Sequence, residues 1–236
     1  MSEKRIFNLS ERLYCCGKMI EDNSRIADVG TDHAYLPIWL SKHDRISHAI
    51  ACDVNPMPLE RARKNIKIYN VVNVETRLSN GLEEIRESEV DTVVIAGMGG
   101  ELIYSILSGV PWTKNKILIL QPMSSERDLR IALAKDNYKI QKEVAVKSNG
   151  KVYTVMKVKH SLENQNYNDL YPFIGGLLDD ENNVNEVTME YIHKQIRDAE
   201  KRKTGEKAKG NHERERYYSD VIEKMNNIIK KYNCLE

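Results

Sequence analysis

Residues 26–37 read Ile-Ala-Asp-Val-Gly-Thr-Asp-His-Ala-Tyr-Leu-Pro, an apolar strand that runs into a glycine turn and then into a helix. Residues 49–53, Ala-Ile-Ala-Cys-Asp, form a second apolar strand that ends in a carboxylate. In an open α/β sheet the glycine lets the backbone approach a ligand, and the later acid accepts hydrogen bonds from ribose hydroxyls. The two segments together predict a nucleoside-binding α/β sheet.

The turn after the first strand differs from a dinucleotide site. A pyrophosphate site is typified by G-x-G-x-x-G, whereas Gly30 is followed by Thr31, Asp32 and His33. Asp28 and Asp32 also place two negative charges where a pyrophosphate would lie. S-adenosylmethionine carries a sulfonium and an amino group, so it suits these carboxylates better. The turn therefore favours a methyl-donor site over an NAD site.

Strands and helices alternate up to residue 160, and the last two strands decide between related folds. Five β-α units precede the strand-like runs 138–147 and 151–160, which Ser148-Asn149-Gly150 joins. Asn-Gly between two such runs is a strong hairpin signal. This order predicts a mostly parallel α/β sheet with an antiparallel hairpin at one edge, as in Rossmann-like class I methyltransferases.

The sequence changes character after residue 160. Residues 161–183 are polar and predict a hinge or connecting turn, and amphipathic stretches follow at 187–196 and 218–232. Residues 204–210 are expected to interrupt the helix between them. We expect a donor-binding domain over residues 1–160 and a coiled-coil-like helical hairpin within residues 161–236.

The composition restricts the class of protein. The 236 residues are 41% hydrophobic and 30% charged, with a net charge of +1. No apolar run reaches the ~20 residues of a membrane span, and the N-terminal segment lacks an apolar core of signal-peptide length. The four cysteines have no C-x-x-C spacing, so no metal site is predicted and a reducing compartment is favoured. We expect a cytoplasmic protein without membrane contact.

Basic side chains concentrate in the helical tail. Residues 194–216 contain nine basic and five acidic side chains, which gives a local net charge of +4. The block predicts RNA phosphate contacts at the tip of the hairpin, and six lysines within 139–159 form a second basic stretch. Solvated helix and strand faces remain the alternative. The nine residues are Lys194, Arg197, Lys201, Arg202, Lys203, Lys207, Lys209, Arg214 and Arg216.

Each predicted donor contact follows a strand end. Asp28 is expected to accept a hydrogen bond from the donor's ammonium group, and Asp53 to hold the ribose. An amide in Ser79-Asn80-Gly81 is expected to read the adenine. The alternatives are a helix cap for Asp32, a salt bridge to Arg61 or Arg63 for Asp53, and a simple turn at Asn80-Gly81. The predicted cofactor-binding set is Asp28, Gly30, Thr31, Asp53, Asn80, Gly81, Gly97 and Met98.

The fourth strand ends in Ala96-Gly97-Met98-Gly99-Gly100, which indicates an unusually close approach of the backbone to a ligand. In a methyltransferase this position borders the transferred methyl group and the acceptor base. In an oxidoreductase it would place a phosphate at a helix N-terminus. Gln121, before Pro122, is expected to offer an amide to an acceptor edge, or simply to end the strand.

Three segments carry a resemblance to a known family. Residues 28–37, Ile95-Ala-Gly-Met-Gly-Gly100 and Leu118-Ile-Leu-Gln-Pro122 resemble the bacterial tRNA adenine-N1 methyltransferases that modify position 22 of tRNA. The resemblance implies an S-adenosylmethionine-dependent enzyme whose partner is tRNA, with the helical hairpin helping to grip the RNA. Related enzymes more often have Asp-Gly where this chain has Asn80-Gly81. No protein partner is implied.

Methylation of adenine N1 needs little covalent help, because N1 already has an in-plane lone pair. We therefore expect catalysis to rest on placement and on stabilising the positive charge that develops on the base. Asp32 is the candidate for that charge, and His33 is a candidate proton acceptor. The target must be unpaired, and Tyr35 or Trp39 is expected to stack on it. The predicted catalytic set is Asp32, His33 and Gln121.

Three other functions remain open from the sequence. One is an RNA-binding protein that keeps a vestigial donor fold, which binding of labelled donor would decide. Another is a small-molecule methyltransferase whose tail mediates dimerisation, which a steep salt dependence of RNA binding would exclude. A dehydrogenase is the most distant.

Overall fold

The computed structural model describes residues 7–163 and 167–234. The expectations that involve residues 1–6, 164–166 and 235–236 lie outside the described residues; they concern the ends of both predicted domains, part of the connecting turn and most of the N-terminal segment. The strands are β1 Ser24–Val29, β2 Ile46–Asp53, β3 Val74–Leu78, β4 Thr92–Gly99, β5 Ile117–Ser124, β6 Tyr138–Ser148 and β7 Lys151–His160. The helices are α1 Glu11–Met19, α2 Tyr35–Lys42, α3 Pro56–Ile68, α4 Gly100–Ser108, α5 Glu126–Lys135, α6 Tyr171–Ile174, α7 Glu186–Ala208 and α8 His212–Asn233.

The seven strands form one sheet in the order β3-β2-β1-β4-β5-β7-β6. Strands β1 to β5 are parallel, and β7 runs antiparallel between β5 and β6. The hairpin signal at Asn149-Gly150 is therefore correct, and the predicted methyltransferase-type α/β fold is confirmed. The strand order reverses between β1 and β4, and a crevice opens at the carboxyl ends of the strands at such a point.

The central strands are apolar along their whole length because helices cover both faces of the sheet. Successive residues of β1 point to opposite faces, so Ile26 belongs to one apolar cluster and Ala27 to the other. The cluster around Ala27 includes Ile103 of α4, and the cluster around Ile26 includes Leu36 of α2. Helices that follow β1 and β4 thus lie on opposite faces, with the crevice between their starts.

Helices α7 and α8 form the predicted antiparallel hairpin. They share a core with α6 that includes Phe173, Ile192 and Tyr218. The predicted interruption at 204–210 is wrong in its start, because α7 continues to Ala208 through Gly205. A glycine inside a helix costs only about 1 kcal/mol, which a helix of 23 residues tolerates. The chain turns at Gly210, whose φ of +72° suits glycine.

A buried ion pair joins the sheet to the tail. Arg130 of α5 and Glu143 of β6 are fully buried, with Arg130 Nη2 2.6 Å from Glu143 Oε1. Arg130 also donates to Tyr191 Oη at 3.0 Å and to the Phe173 carbonyl at 2.9 Å. The Gly176 amide donates to Glu143 Oε2 at 3.1 Å. The described part of the segment predicted as a connecting turn is therefore fastened to the sheet.

Candidate functional site

A cleft of about 650 Å³ opens at the carboxyl ends of β1 and β4. The turn after β1, the end of β4 and the segment that leads into α1 form its walls. Since the sequence placed its candidate residues at strand ends, part of the predicted set meets here. The predicted residues that line the cleft are Asp28, Gly30, Thr31, Asp32, His33 and Gly97.

Two glycines shape the cleft because their backbone disfavours other residues. Gly30 has a φ of +75° and Gly97 a φ of +85°. A Cβ atom on Gly30 would also collide with the Met98 side chain, which lies against this glycine. The Gly30 and Thr31 amides donate to the Cys52 carbonyl at 2.8 and 3.0 Å, which fixes the turn to β2. The backbone is therefore open on this side at Gly97, whereas the Met98 side chain covers the corresponding side of Gly30.

Asp28 is a buried carboxylate at the base of the cleft, with only 7% of its surface exposed. Burial raises the pKa of Asp28 to about 6, and a hydrogen bond with Thr31 offsets that rise only in part. The ionised form is thus short of compensating partners inside the protein. A cationic group of a ligand in the cleft would supply one.

Asp32 and His33 stand together at the cleft wall. Asp32 Oδ1 accepts from Arg61 at 2.9 Å, and Oδ2 lies 3.2 Å from His33 Nε2. The His33 ring stacks on Tyr35 with a centroid distance of 4.8 Å. Helix α2 begins after Ala34, so Asp32 is not its cap. Asp32 thus keeps a carboxylate at the cleft with two basic neighbours.

Asp53 ends β2 and Asn80 follows β3, and neither residue lines the cleft of about 650 Å³. Asp53 accepts from the Asn55 amide at 2.7 Å, while Arg61 bonds to Asp32 instead. The Asn80 side-chain amide donates to Glu83 at 2.8 Å, so it already has a partner. Gly81 has a φ of +58°, as a turn glycine does. These three residues lie along the sheet edge outside the cleft.

Gln121 requires a correction. The sequence offered its amide to an acceptor, yet Gln121 is fully buried. Its Nε2 donates to the Pro122 carbonyl at 2.7 Å, and its Oε1 accepts from Arg12 Nη1 at 2.6 Å. Because both ends of the amide are engaged inside the protein, Gln121 positions Arg12 and does not face the cleft.

Arg12 is the residue that sequence reasoning missed. Among the described residues that line the cleft, it is the only lysine or arginine. Its Nη1 lies 3.8 Å from the point where a Cβ on Gly97 would be. The contact that holds it joins residues 109 positions apart, and no local motif marks it. The cleft thus combines one guanidinium with the carboxylates of Asp28 and Asp32.

The basic residues of the tail fall into two groups. Lys194 donates to Glu126 at 2.7 Å and lies over the Tyr191 ring, so its charge already has a partner near the sheet. Lys201 forms an ion pair with Asp198 at 3.8 Å, and Lys209, just after α7, forms one with Glu206 at 3.3 Å. The prediction of a basic tip therefore fits the block from Arg197 onward and not Lys194. The exposed members of the block are Arg197, Lys201, Arg202, Lys207, Lys209, Arg214 and Arg216, and Lys203 is half-buried.

The second basic stretch is largely neutralised. Four of its lysines have a carboxylate within 4 Å, which leaves little free positive charge on the hairpin. We therefore no longer expect this stretch to be a main phosphate-binding surface. The pairs are Lys139–Glu163, Lys142–Asp180, Lys147–Glu190 and Lys157–Glu21.

Residues 7–163 and 167–234 contain no group of three or more His, Cys, Asp and Glu side chains that could hold a metal ion. None of the helices in these ranges is both long enough and apolar enough to cross a membrane.

The amino-acid sequence is similar to those of known proteins. A family model described as a methyltransferase domain matches residues 9–156. The tRNA (adenine(22)-N(1))-methyltransferase of Bacillus subtilis is 35% identical over 151 residues, which cover 63% of this chain and 63% of that protein. The match thus spans slightly less than two thirds of that relative.

Solved structures match over more of the chain. A Streptococcus pneumoniae protein described as a putative tRNA (m1A22) methyltransferase, in complex with S-adenosyl-L-methionine, is 32% identical with a TM-score of 0.76. The match covers 91% of this chain and 100% of that one. M. capricolum TrmK in complex with S-adenosyl-homocysteine is 27% identical, with a TM-score of 0.76 and coverage of 92% and 98%.

Proposed function

The chain belongs to the methyltransferase-domain family and, within it, to the bacterial tRNA (adenine-22-N1)-methyltransferases, and we propose that it methylates N1 of adenine 22 in tRNA. The methyl donor in this proposal is S-adenosylmethionine. The observation that carries the proposal is the cleft at the strand ends, where Asp28 is buried with few partners and Arg12 is held by Gln121.

The residues of the cleft fit the methionine part of the donor. Asp28 suits its ammonium group, and the Arg12 guanidinium suits its carboxylate. Ser10 Oγ, in the wall of the cleft, is buried without a hydrogen-bond partner among the described residues, so it offers one more polar contact. Gly97, with its positive φ and open side, leaves the backbone free to lie against the same part.

The remaining donor contacts extend along the sheet edge. We assign Asp53 to the ribose and the Asn80-Gly81 turn to the adenine, because Asp53 ends β2, the neighbour of β1, and the turn follows β3, the next strand along the sheet. Asn80 would have to exchange its bond to Glu83 for one to the base. Thr31 and Met98 border the methionine part through their positions beside Gly30.

The bound donor supplies an electrophilic methyl group on a sulfonium. The protein then has to align adenine N1 with that group and to stabilise the positive charge that develops on the base. We assign the second task to Asp32, whose side chain is 59% exposed at the cleft wall. Arg61 and His33 hold the orientation of this carboxylate. An Asp32→Asn protein that binds donor normally and keeps full turnover would contradict this role.

We infer tRNA as the partner from the family and from the positive charge of the helical tail. The distal parts of α7 and α8 carry exposed lysines and arginines on both helices. Such side chains contact phosphates without reading sequence, so the target is selected largely by RNA shape. Acting on tRNA would place the protein in the cytoplasm.

The first test is transfer of labelled methyl groups from S-adenosylmethionine to unmodified tRNA, followed by digestion and identification of the nucleosides by mass. The proposal predicts N1-methyladenosine with the wild-type protein and its loss with Asp53→Ala. Donor binding without transfer to any tRNA would contradict the proposal and favour another acceptor.

A second test concerns Arg12. Since its guanidinium is assigned to the donor's carboxylate, Arg12→Gln should weaken binding of S-adenosylhomocysteine roughly tenfold or more. Binding of methylthioadenosine, which lacks the amino acid part, should not change. Equal losses for both ligands in calorimetry would show that Arg12 acts on the shape of the cleft and not on the carboxylate.

A further inference from the structure

A second cavity, which we call the side groove, adjoins the cleft. It has a volume of about 1010 Å³ and lies between α1, the end of α2 and the hairpin of β6 and β7. Asn8 and Leu9 line both the side groove and the cleft, so the two are neighbours. Its position is therefore next to the place where the target base would meet the donor.

Aromatic rings form one wall of the side groove. Tyr14 is 46% exposed, and its ring meets Trp39 edge-on with a centroid distance of 5.5 Å. His43 stacks on the other part of this wall, 4.1 Å from the Trp39 ring. Such rings bind unpaired bases without regard to sequence, because every base has a π-face.

The charges around the side groove include one lysine without a carboxylate partner. Lys157 is paired with Glu21 at 2.8 Å, and Lys142 lies 3.7 Å from Asp180. Glu11 accepts a hydrogen bond from Ser148. Lys18 has no carboxylate within 4 Å among residues 7–163 and 167–234, and it follows Tyr14 by one helical turn. A stacked base and its phosphate can therefore be held side by side on α1.

We propose that the side groove binds an unpaired nucleotide of the tRNA adjoining the target adenine, with its base on Tyr14 and its phosphate at Lys18. This inference rests on the proposed function. Adenine N1 is engaged in base pairs within helices, so exposing it disturbs the stacking of its neighbours. A platform beside the cleft offsets that cost. From Arg12 to Lys18 the distance along α1 is about 9 Å, a span that adjoining nucleotides can bridge.

The first experiment measures tRNA affinity and the KM for tRNA in Tyr14→Ala and Lys18→Glu proteins. Tyr14→Ala should weaken tRNA binding roughly fivefold to a hundredfold, the range for a stacked base, while Tyr14→Phe keeps the ring and the affinity. Donor affinity should stay unchanged in all variants. Lys67→Glu is the matched control, because Lys67 is also an exposed lysine in the last turn of a helix. Variants with wild-type tRNA affinity would overturn the inference.

The second experiment uses the fluorescence of Trp39. The chain has two tryptophans, so a Trp112→Phe protein reports from Trp39 alone. Saturating tRNA should change this emission, and the change should be much smaller when Tyr14→Ala is added. Unchanged Trp39 emission with tRNA bound would overturn the inference. A change that occurs only when another protein is added would overturn it as well. If the wild-type protein methylates tRNA but the affinity and emission changes are absent, only the side-groove inference fails. If the wild-type protein does not methylate tRNA at all, the proposed function and the inference both fail.

Discussion

The cleft and the junction between sheet and tail each bury a carboxylate, and the two differ in their partners. Glu143 at the junction is fully buried and bonds to Arg130 and to the Gly176 amide. Asp28 at the cleft is 7% exposed and has a hydrogen bond only with Thr31 to offset its burial. The first carboxylate has its partners within the chain, whereas the second is short of them.

The difference separates a structural role from a binding role. A buried carboxylate that is fully bonded holds two parts of the molecule together, and it leaves no capacity for a ligand. A buried carboxylate with a raised pKa destabilises the ligand-free protein when it is ionised, and a cationic ligand can offset that loss. The same side-chain chemistry therefore fastens the tail in one place and, in the proposed donor site, leaves a negative charge for a ligand to balance.

The largest effect is expected at the junction. Arg130→Met leaves Glu143 buried without its ion partner, which should lower the free energy of unfolding by about 3–5 kcal/mol. Urea denaturation measures this loss. Lys139→Met is the control, because its pair with Glu163 is exposed and should contribute less than about 1 kcal/mol. Equal losses for both variants would contradict the structural role of the buried pair.

Asp28→Asn is expected to act in the opposite direction on stability. The pKa of Asp28 is raised from 3.8 to about 6, so ionising it at pH 7 costs the folded, ligand-free protein about 3 kcal/mol. The variant should therefore be more stable without ligand by up to that amount, and bind S-adenosylhomocysteine roughly tenfold to a hundredfold more weakly. Thermal unfolding and calorimetry measure the two effects. A variant that loses stability and keeps affinity would refute the assignment.

The pH dependence of donor binding sharpens the same point. Because the pKa of Asp28 is raised to about 6, the carboxylate is ionised above that pH and protonated below it. Affinity for S-adenosylhomocysteine should be about tenfold weaker at pH 5 than at pH 7. The Asp28→Asn protein should show a flat profile between these values. A wild-type profile that is equally flat would show that the charge of Asp28 has no part in binding.

The smallest effect extends the comparison to the cations of the tail. Lys194 is bonded to Glu126, whereas Lys207 is exposed on the distal part of α7. Lys207→Glu should weaken tRNA binding a few-fold and reduce the slope of log affinity against log salt by about one unit. Lys194→Met should leave that slope unchanged. Filter binding at several salt concentrations distinguishes the two, and a larger slope change for Lys194 would contradict this division.

Local patterns were enough to predict much of the fold. The alternation of strands and helices, the Asn149-Gly150 turn and the glycine after β1 all depend on residues close in sequence. The apolar stripes of α7 and α8 predicted the hairpin for the same reason. The end of α7 was placed too early because Gly205 weakens a helix locally, while the contacts with α8 that stabilise it are distant in the chain.

Contacts between side chains that are distant in the chain could not be predicted from the sequence. Nothing local connects Arg12 with Gln121, and the burial of Gln121 follows from its place in the central sheet. The pairing of Lys194 with Glu126 spans 68 positions, so the charge of Lys194 was assigned to RNA. A sequence pattern indicates which groups are charged, but the fold decides which charges are already paired.

We propose that this chain methylates N1 of one adenine in tRNA with a methyl donor bound in the cleft at Asp28. Methylation at N1 blocks the pairing edge of the base, so reverse transcription stops at that nucleotide. After incubation of unmodified tRNA with protein and S-adenosylmethionine, we expect one strong stop at adenine 22, and a much weaker one with Asp28→Asn. Full transcription through the tRNA, or stops at other nucleotides, would contradict the account.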